Sequence, residues 1–238
     1  STLASFTTTV AAVNDAPTIT LGTTSGTFTE NGSNLDIGGT VTVADSETPD
    51  AYNSVQLSVT TAEILDGDSE KLVINSATSG GTIALNFADA ATISNVVLSD
   101  TTYSVTASVD SDSGESTLTF AKNGGGTLSD AEAEALLSAL EYKNTSDTPT
   151  TSGNRVFELG VTDSHSTPRT SSLASFTASV ASNNDAPTIT LGTTSGTFTE
   201  DGSNLDIGGS VSVADAETPN AYNSVQLSVT TAEILDGD

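Results

Sequence analysis

The sequence has no cysteine, no methionine and no tryptophan, and its 5 lysine and arginine residues face 31 aspartates and glutamates in 238. Without cysteine there is no disulfide scaffold, no thiolate zinc site and no thiol catalysis. The single histidine, His165, lies between Ser164 and Ser166 near Pro168, with no Gly-x-Ser-x-Gly elbow to pair with it, and reads as an exposed loop residue. Two-carboxylate glycoside chemistry would find acids enough, but a sugar cleft normally needs aromatic platforms, and there are only 4 tyrosines. The chain is not expected to be an enzyme. No apolar run approaches the roughly 18 residues of a membrane span, and no stretch reads as a signal peptide. The expectation is a piece cut from the middle of a longer protein.

The formal net charge of −26 repels itself and destabilises a compact state unless counter-ions bind. It also argues against nucleic acid and anionic membrane surfaces as partners, since phosphate binding draws on Lys and Arg. Two readings stay open. The acids are the solvated surface of a secreted or salt-adapted protein, or many of them are ligands for a hard divalent cation, which takes oxygen donors.

What the chain does have is Ser, Thr, Gly, Val, Ala and Asp, a composition that builds thin, β-branched cores, and a long internal repeat. Residues 1–68 and 171–238 align without a gap at an offset of 170, with 58 of 68 positions identical. The differences fall at positions 2, 8, 9, 12, 13, 31, 40, 42, 46 and 50, mostly exchanges among Ser, Thr, Ala, Asp and Asn. Self-similarity at a fixed period marks an array. The repeat predicts a last strand of a preceding unit over 1–13, a complete sandwich over 14–183 and the opening part of a next unit over 184–238. A fragment of 55 residues lacking its later strands should bury a core poorly on its own.

Within one period, short strands are expected at Thr18–Leu21, Thr27–Glu30, Leu35–Ile37 and Val41–Val43. Val55, Leu57 and Val59 mark a period-2 strand, and 71–74 and 82–85 two more. Asn31-Gly32, Asp201-Gly202 in the copy, is a turn signal. Tyr103, Val105, Ala107 and Val109 alternate, Asp110 to Gly114 turns, and Leu118 and Phe120 alternate back as a hairpin. One helix is expected near 129–141. Ser129 and Glu132 have capping-box spacing, and Ala133, Leu136, Leu137 and Leu140 form an apolar stripe. Strands at 156–162 and 173–180 close the unit. The whole reads as an all-β sandwich.

The stretch Val10–Pro17, ending in Asn14-Asp15-Ala16-Pro17 and repeated as Asn184-Asp185-Ala186-Pro187, resembles the junction of bacterial cadherin-like, immunoglobulin-like repeats in large repeats-in-toxin (RTX) surface adhesins. The run Leu136–Asp147, followed by Asn154-Arg155-Val156 and Val161-Thr162-Asp163, resembles the later half of the same repeats. The resemblance implies a calcium-stabilised extender on a secreted, cell-surface protein of the kind that supports adhesion and biofilms, its partners being neighbouring repeats and its adhesive target elsewhere. It also implies a ligand set. Asp45 and Glu47, after the Val41-x-Val43 strand, resemble the acidic loop that reaches back to the linker. Glu30 resembles an early glutamate at the other end of the domain, and Asp163 a late aspartate that closes the site. The expected Ca2+ ligands are thus Asn14, Asp15, Asp45, Glu47 and Asp163 at the first junction. At the second they are Glu30 with Asn184, Asp185, Asp215 and Glu217, Glu200 being the copy of Glu30. The bland alternative is that Asn-Asp-Ala-Pro is a turn and Asp45 to Pro49 a polar loop. A rival function is a Ca2+-dependent carbohydrate- or protein-binding module.

Other acidic clusters point less clearly. Asp66-Gly67-Asp68 with Glu70 suits an ion or a solvated turn. Asp110 and Asp112 lack the third ligand of a calcium loop and read as a hairpin turn. Asp147 reads as a turn cap or as an ion-pair partner of Arg155.

Overall fold

The computed structural model describes all residues except 1, 2, 12, 48, 49, 89, 92, 218–220 and 230–238. Ala12 of the junction run, Thr48 and Pro49 of the acidic loop, and the end of the second copy therefore lie outside the described residues. The chain divides into two compact units, residues 1–183 and 184–238.

The first unit is an all-β sandwich. A seven-stranded sheet runs in the order β2 (Ser25–Thr29), β13 (Ala174–Ala181), β12 (Arg155–Asp163), β5 (Tyr52–Thr60), β10 (Glu115–Lys122), β9 (Thr101–Val109) and β8 (Val96–Leu98). A four-stranded sheet runs β3 (Leu35–Asp36), β11 (Leu140–Asn144), β6 (Glu70–Ile74) and β7 (Thr82–Ala84). One hydrophobic cluster fills the space between them. Tyr142 of the smaller sheet meets Phe28 edge-on at 5.5 Å and Phe157 at 5.7 Å, both from the larger sheet, in the offset geometries that aromatic quadrupoles favour. The expected alternation is visible on β5, where Val55, Leu57 and Val59 are buried. The β9–β10 hairpin forms as read, with Leu118 opposite Ala107 and Phe120 opposite Val105.

A separate pair, β1 (Thr18–Leu21) and β4 (Val41–Ala44), lies antiparallel. Two amides of β4 donate to side chains of the helix α1 (Asp130–Leu137) and its C-cap: Val43 N–H to Glu134 Oε1 (3.1 Å) and Val41 N–H to Ser138 Oγ (2.9 Å). Side-chain acceptors thus cover what would be a bare sheet edge. The capping box is formed by Ser129 and Glu132 as expected. The helix stops at Leu137, short of the expected 141, because Leu140 enters β11 and pairs with Ile74. Leu140 stays buried, so the apolar stripe was legible while its backbone state was set by a distant strand. Between β5 and β6 the chain makes two short 3-10 turns, Thr61–Glu63 and Gly67–Ser69.

The chain provides its own control on what β13 needs. Residues 173–180 form β13, antiparallel to β12 and parallel to β2, and bury Phe176, Ala178 and Val180. Their near-copy, residues 3–10, forms no strand and leaves Leu3, Phe6 and Val10 exposed. The expectation for 1–13 is the last strand of a preceding unit; in this unit the corresponding place, beside β12 and β2, is filled by β13. The second unit shows the same dependence. Its pair β14 (Thr188–Leu191) and β15 (Val211–Ala214) repeats the β1–β4 register, but Phe198 is 61% exposed where Phe28 is 2%, and Leu227 is 75% exposed where Leu57 is 1%. Among the described residues of that unit no further strand forms.

One buried ion-pair network ties the two sheets together. Arg155, at the start of β12, directs Nε and Nη2 at Glu70 on β6, the shortest contact being 2.7 Å. Nη2 also reaches Asp66 at 3.1 Å, and Nη1 donates to the carbonyls of Thr150 and Gly153. Asp66 further accepts from Asn144 Nδ2 and from the Thr150 amide and hydroxyl. Burial opposes the charge on Asp66, but the Thr150, Asn144 and Arg155 donors outweigh it and hold its pKa below the usual value. This corrects both readings of the Asp66–Glu70 cluster: Asp66 and Glu70 are the counter-ions of Arg155. Asp147 is exposed and is not the ion-pair partner of Arg155. No helix among the described residues is long and apolar enough to cross a membrane.

Two outcomes follow from these contacts. Glu70→Ala leaves the Arg155 guanidinium buried without its main partner and is expected to cost about 3–5 kcal/mol in urea denaturation. Lys122 Nζ at 2.7 Å and the Ser129 amide lower the pKa of Glu132 to about 2. Because that pKa is depressed, its stabilisation is complete above the ordinary glutamate value and is lost as pH falls toward 2. Glu132→Gln should therefore be less stable than the parent at pH 7 and indistinguishable from it at pH 2.

Candidate metal centre

The inward row of β12 reads Arg155, Phe157, Leu159, Val161, Asp163, all fully buried. An arginine begins the row and an aspartate ends it. The register of β12 on β5 shifts between Thr162 and Asp163, the kind of irregularity that re-aims a side chain. The following loop folds back on the carboxylate: Asp163 Oδ1 accepts from the His165 amide (3.2 Å) and the Arg169 amide (3.1 Å), while the Asp163 amide donates to the Arg169 carbonyl (3.0 Å).

The linker and the acidic loop converge on that aspartate. Asn14 Nδ2 donates to Asp163 Oδ2 at 2.8 Å and to the Thr167 carbonyl at 3.0 Å. The Asp15 amide donates to Glu47 Oε1 at 2.9 Å, and Ser46 Oγ bridges Asp15 Oδ2 and Glu47 Oε2. Asp45 Oδ1 accepts from the Glu47 amide at 3.3 Å. Ligand atoms of Asp45, Asp163 and His165 all lie within 4.8 Å of one another. The structure thus brings together Asn14, Asp15, Asp45, Glu47 and Asp163.

Several buried polar atoms here take no hydrogen bond from any described residue: Asn14 Oδ1, Asp45 Oδ2, Asp50 Oδ1 and His165 Nδ1. Leaving such atoms unsatisfied is costly. The electrostatics are crowded as well. Burial and the adjacent Glu47 carboxyl raise the pKa of Asp45, whereas contact with Asp45 and the Asp15 amide lowers that of Glu47. Burial, together with Asp130, Asp50 and Asp45, holds the Tyr52 hydroxyl well above the ordinary phenol range. Orphaned oxygens amid uncompensated negative charge fit a hard cation.

Glu30 lies at the opposite end of the sandwich, at the exit of β2, where its amide donates to the Ala181 carbonyl and its Oε2 accepts from the Asn183 amide at 2.9 Å. It is buried, and its Oε1 accepts nothing from the described residues. The second unit repeats the bond from linker to acidic loop, the Asp185 amide donating to Glu217 Oε1 at 2.9 Å, but not the one made by Asn14: Asn184 Nδ2 donates to the Asp185 carbonyl. Glu217 raises the pKa of Asp215, and the Asp185 amide lowers that of Glu217. Glu200 is exposed in its turn, beside Asp201 at φ +59°. Asp110 accepts from the Asp112 and Ser113 amides in the hairpin turn.

Two residues of this region escaped the sequence reading. His165 was expected to be exposed loop decoration, yet its side chain is only 24% exposed and its Nδ1 lies 4.0 Å from Asp163 Oδ1. The Asp-x-His spacing was the available signal. Asp50 closes the acidic loop and could have been taken with Asp45 and Glu47. The sequence matches no known family model and no curated protein sequence.

A neutral residue at position 45 separates the charge effect from any ligand effect. Asp45 has a raised pKa, so ionising it destabilises the fold as pH rises past the ordinary aspartate range, and the penalty is complete at pH 7. In EDTA at pH 7, Asp45→Asn should melt about 1–2 °C above the parent, a gap that closes when both are measured well below pH 4.

Proposed function

We propose that this chain is a non-enzymatic extender segment of a secreted bacterial surface adhesin, its repeats stiffened by calcium at their junctions. The observation that carries the reading is the convergence of Asn14, Asp45 and Asp163, from a linker, a loop and a strand end, with buried oxygens on Asn14 and Asp45 that accept no hydrogen bond from the described residues. Asn14, Asp15, Asp45, Glu47 and Asp163 would hold the ion, which supplies the positive charge that this set of oxygen donors lacks. Asp163 is fixed by its own loop and by Asn14. Asp45 and Glu47 lie on a three-residue ligand–spacer–ligand run, and the spacer is Ser46 in one copy and Ala216 in the other. Joined to the linker through the ion, the sandwich could no longer swing freely on Asn14-Asp15. In an array of such units the result is a stiff spacer that carries an adhesive region located elsewhere.

The test is thermal unfolding with and without calcium. A ligand at a hundredfold excess over its Kd stabilises by about 2.7 kcal/mol, so calcium should raise the melting temperature by about 5–10 °C over EDTA, and Asp163→Asn should remove most of that rise. Equal melting in calcium and EDTA would overturn the reading.

A further inference from the structure

We propose that His165 makes this centre a site for a borderline first-row divalent ion such as Zn2+, held by His165 Nδ1 with the Asp45 and Asp163 carboxylates. The inference rests on the cation reading of the junction and concerns a second class of ion that the same centre admits beside calcium. Calcium takes oxygen ligands, so in a purely calcium centre the imidazole has no role. Imidazole nitrogen suits Zn2+, Cu2+ and Ni2+, and one imidazole with two carboxylates leaves a fourth position open, as in zinc centres built from three protein ligands.

The geometry singles out Nδ1. It is buried, it has no hydrogen bond among the described residues and it lies 4.0 Å from Asp163 Oδ1, on a ring that offers a nitrogen within 4.8 Å of ligand oxygens of Asp45 and Asp163. At 4.0 Å from Asp163 Oδ1 the nitrogen is beyond hydrogen-bond reach, so the neutral ring leaves it without a donor or acceptor partner there, and only a protonated ring would form an ion pair across that gap. Two ligands of a tetrahedral zinc ion are roughly 3.3 Å apart, given metal–ligand bonds near 2.0–2.1 Å. Closing the His165–Asp163 gap to that value needs a shift of under about 1 Å. The backbone places the ring where a small shift suffices, since the His165 and Arg169 amides both bond Asp163 Oδ1 and the Ser164 amide bonds the Ala51 carbonyl at 2.9 Å.

His165 is the only histidine and there is no cysteine, so a nitrogen-ligand signature in the tag-free chain has one source. After EDTA treatment and desalting, the chain is titrated with Co2+ as a visible-absorption probe and with Zn2+ in competition, and the imidazole is followed by NMR. The expected result is one Co2+ whose spectrum is displaced by Zn2+, with ring resonances that move on Zn2+ addition, and at least tenfold weaker binding in His165→Ala and His165→Asn. The same variants should keep the calcium-dependent rise in melting temperature to within about 1 °C. Binding of Co2+ and Zn2+ that is unchanged in His165→Ala overturns this inference and leaves the calcium reading standing. If neither calcium nor Zn2+ alters the parent chain, both fall together.

Discussion

The side chains of Phe176, Ala178 and Val180 are buried only because β13 lies between β12 and β2. That placement joins the end of the unit to its beginning, and the core depends on it. The same residue pattern at 3–10 remains exposed, and in 184–229 the described apolar residues are largely uncovered. A β-strand owes its stability to what packs beside it more than to its own composition, and here near-identical sequences give opposite outcomes within one chain.

The charged residues follow a related logic. Each end of the inward row of β12 carries a charge that the interior cannot hold unaided. At Arg155 the solution is complete: Glu70, Asp66 and two carbonyls take up the guanidinium and lock the two sheets together. At Asp163 the carboxylate itself is well bonded, but its neighbours Asn14 and Asp45 keep buried oxygens that take no hydrogen bond from the described residues. One end is self-sufficient, whereas the other keeps buried oxygens that no described residue satisfies, and it is that contrast on which the cation proposal rests.

Much of this was legible in the residues alone. Period-2 alternation located β5, β9 and β10, and the Ser129–Glu132 spacing located the helix start, because these signals are local. The repeat marked the Asn14 and Asn184 junctions, and the acid-x-acid loop pointed to Asp45 and Glu47. The helix end, the role of Asp66 and Glu70, and the burial of His165 were not legible. Each is decided by a partner far along the chain: Ile74 for Leu140, Arg155 for the two acids, and the Asp163 loop for the imidazole. A side chain reads as loop decoration until the strand that covers it is known.

The junction half of the unit differs from the rest in how much chain it must gather. The Asp15–Glu47 bond closes 32 residues, whereas the Glu30–Asn183 bond closes 153. The longer closure costs about 1.4 kcal/mol more in chain entropy, and it also awaits every intervening strand. In the second unit the short closure is made, Asp185 to Glu217, while the counterparts of the sandwich strands stay uncovered. Assembly can therefore begin at the linker. A chain emerging from its N-terminal end would have its acidic clip shaped well before its last strand arrives to shut the core.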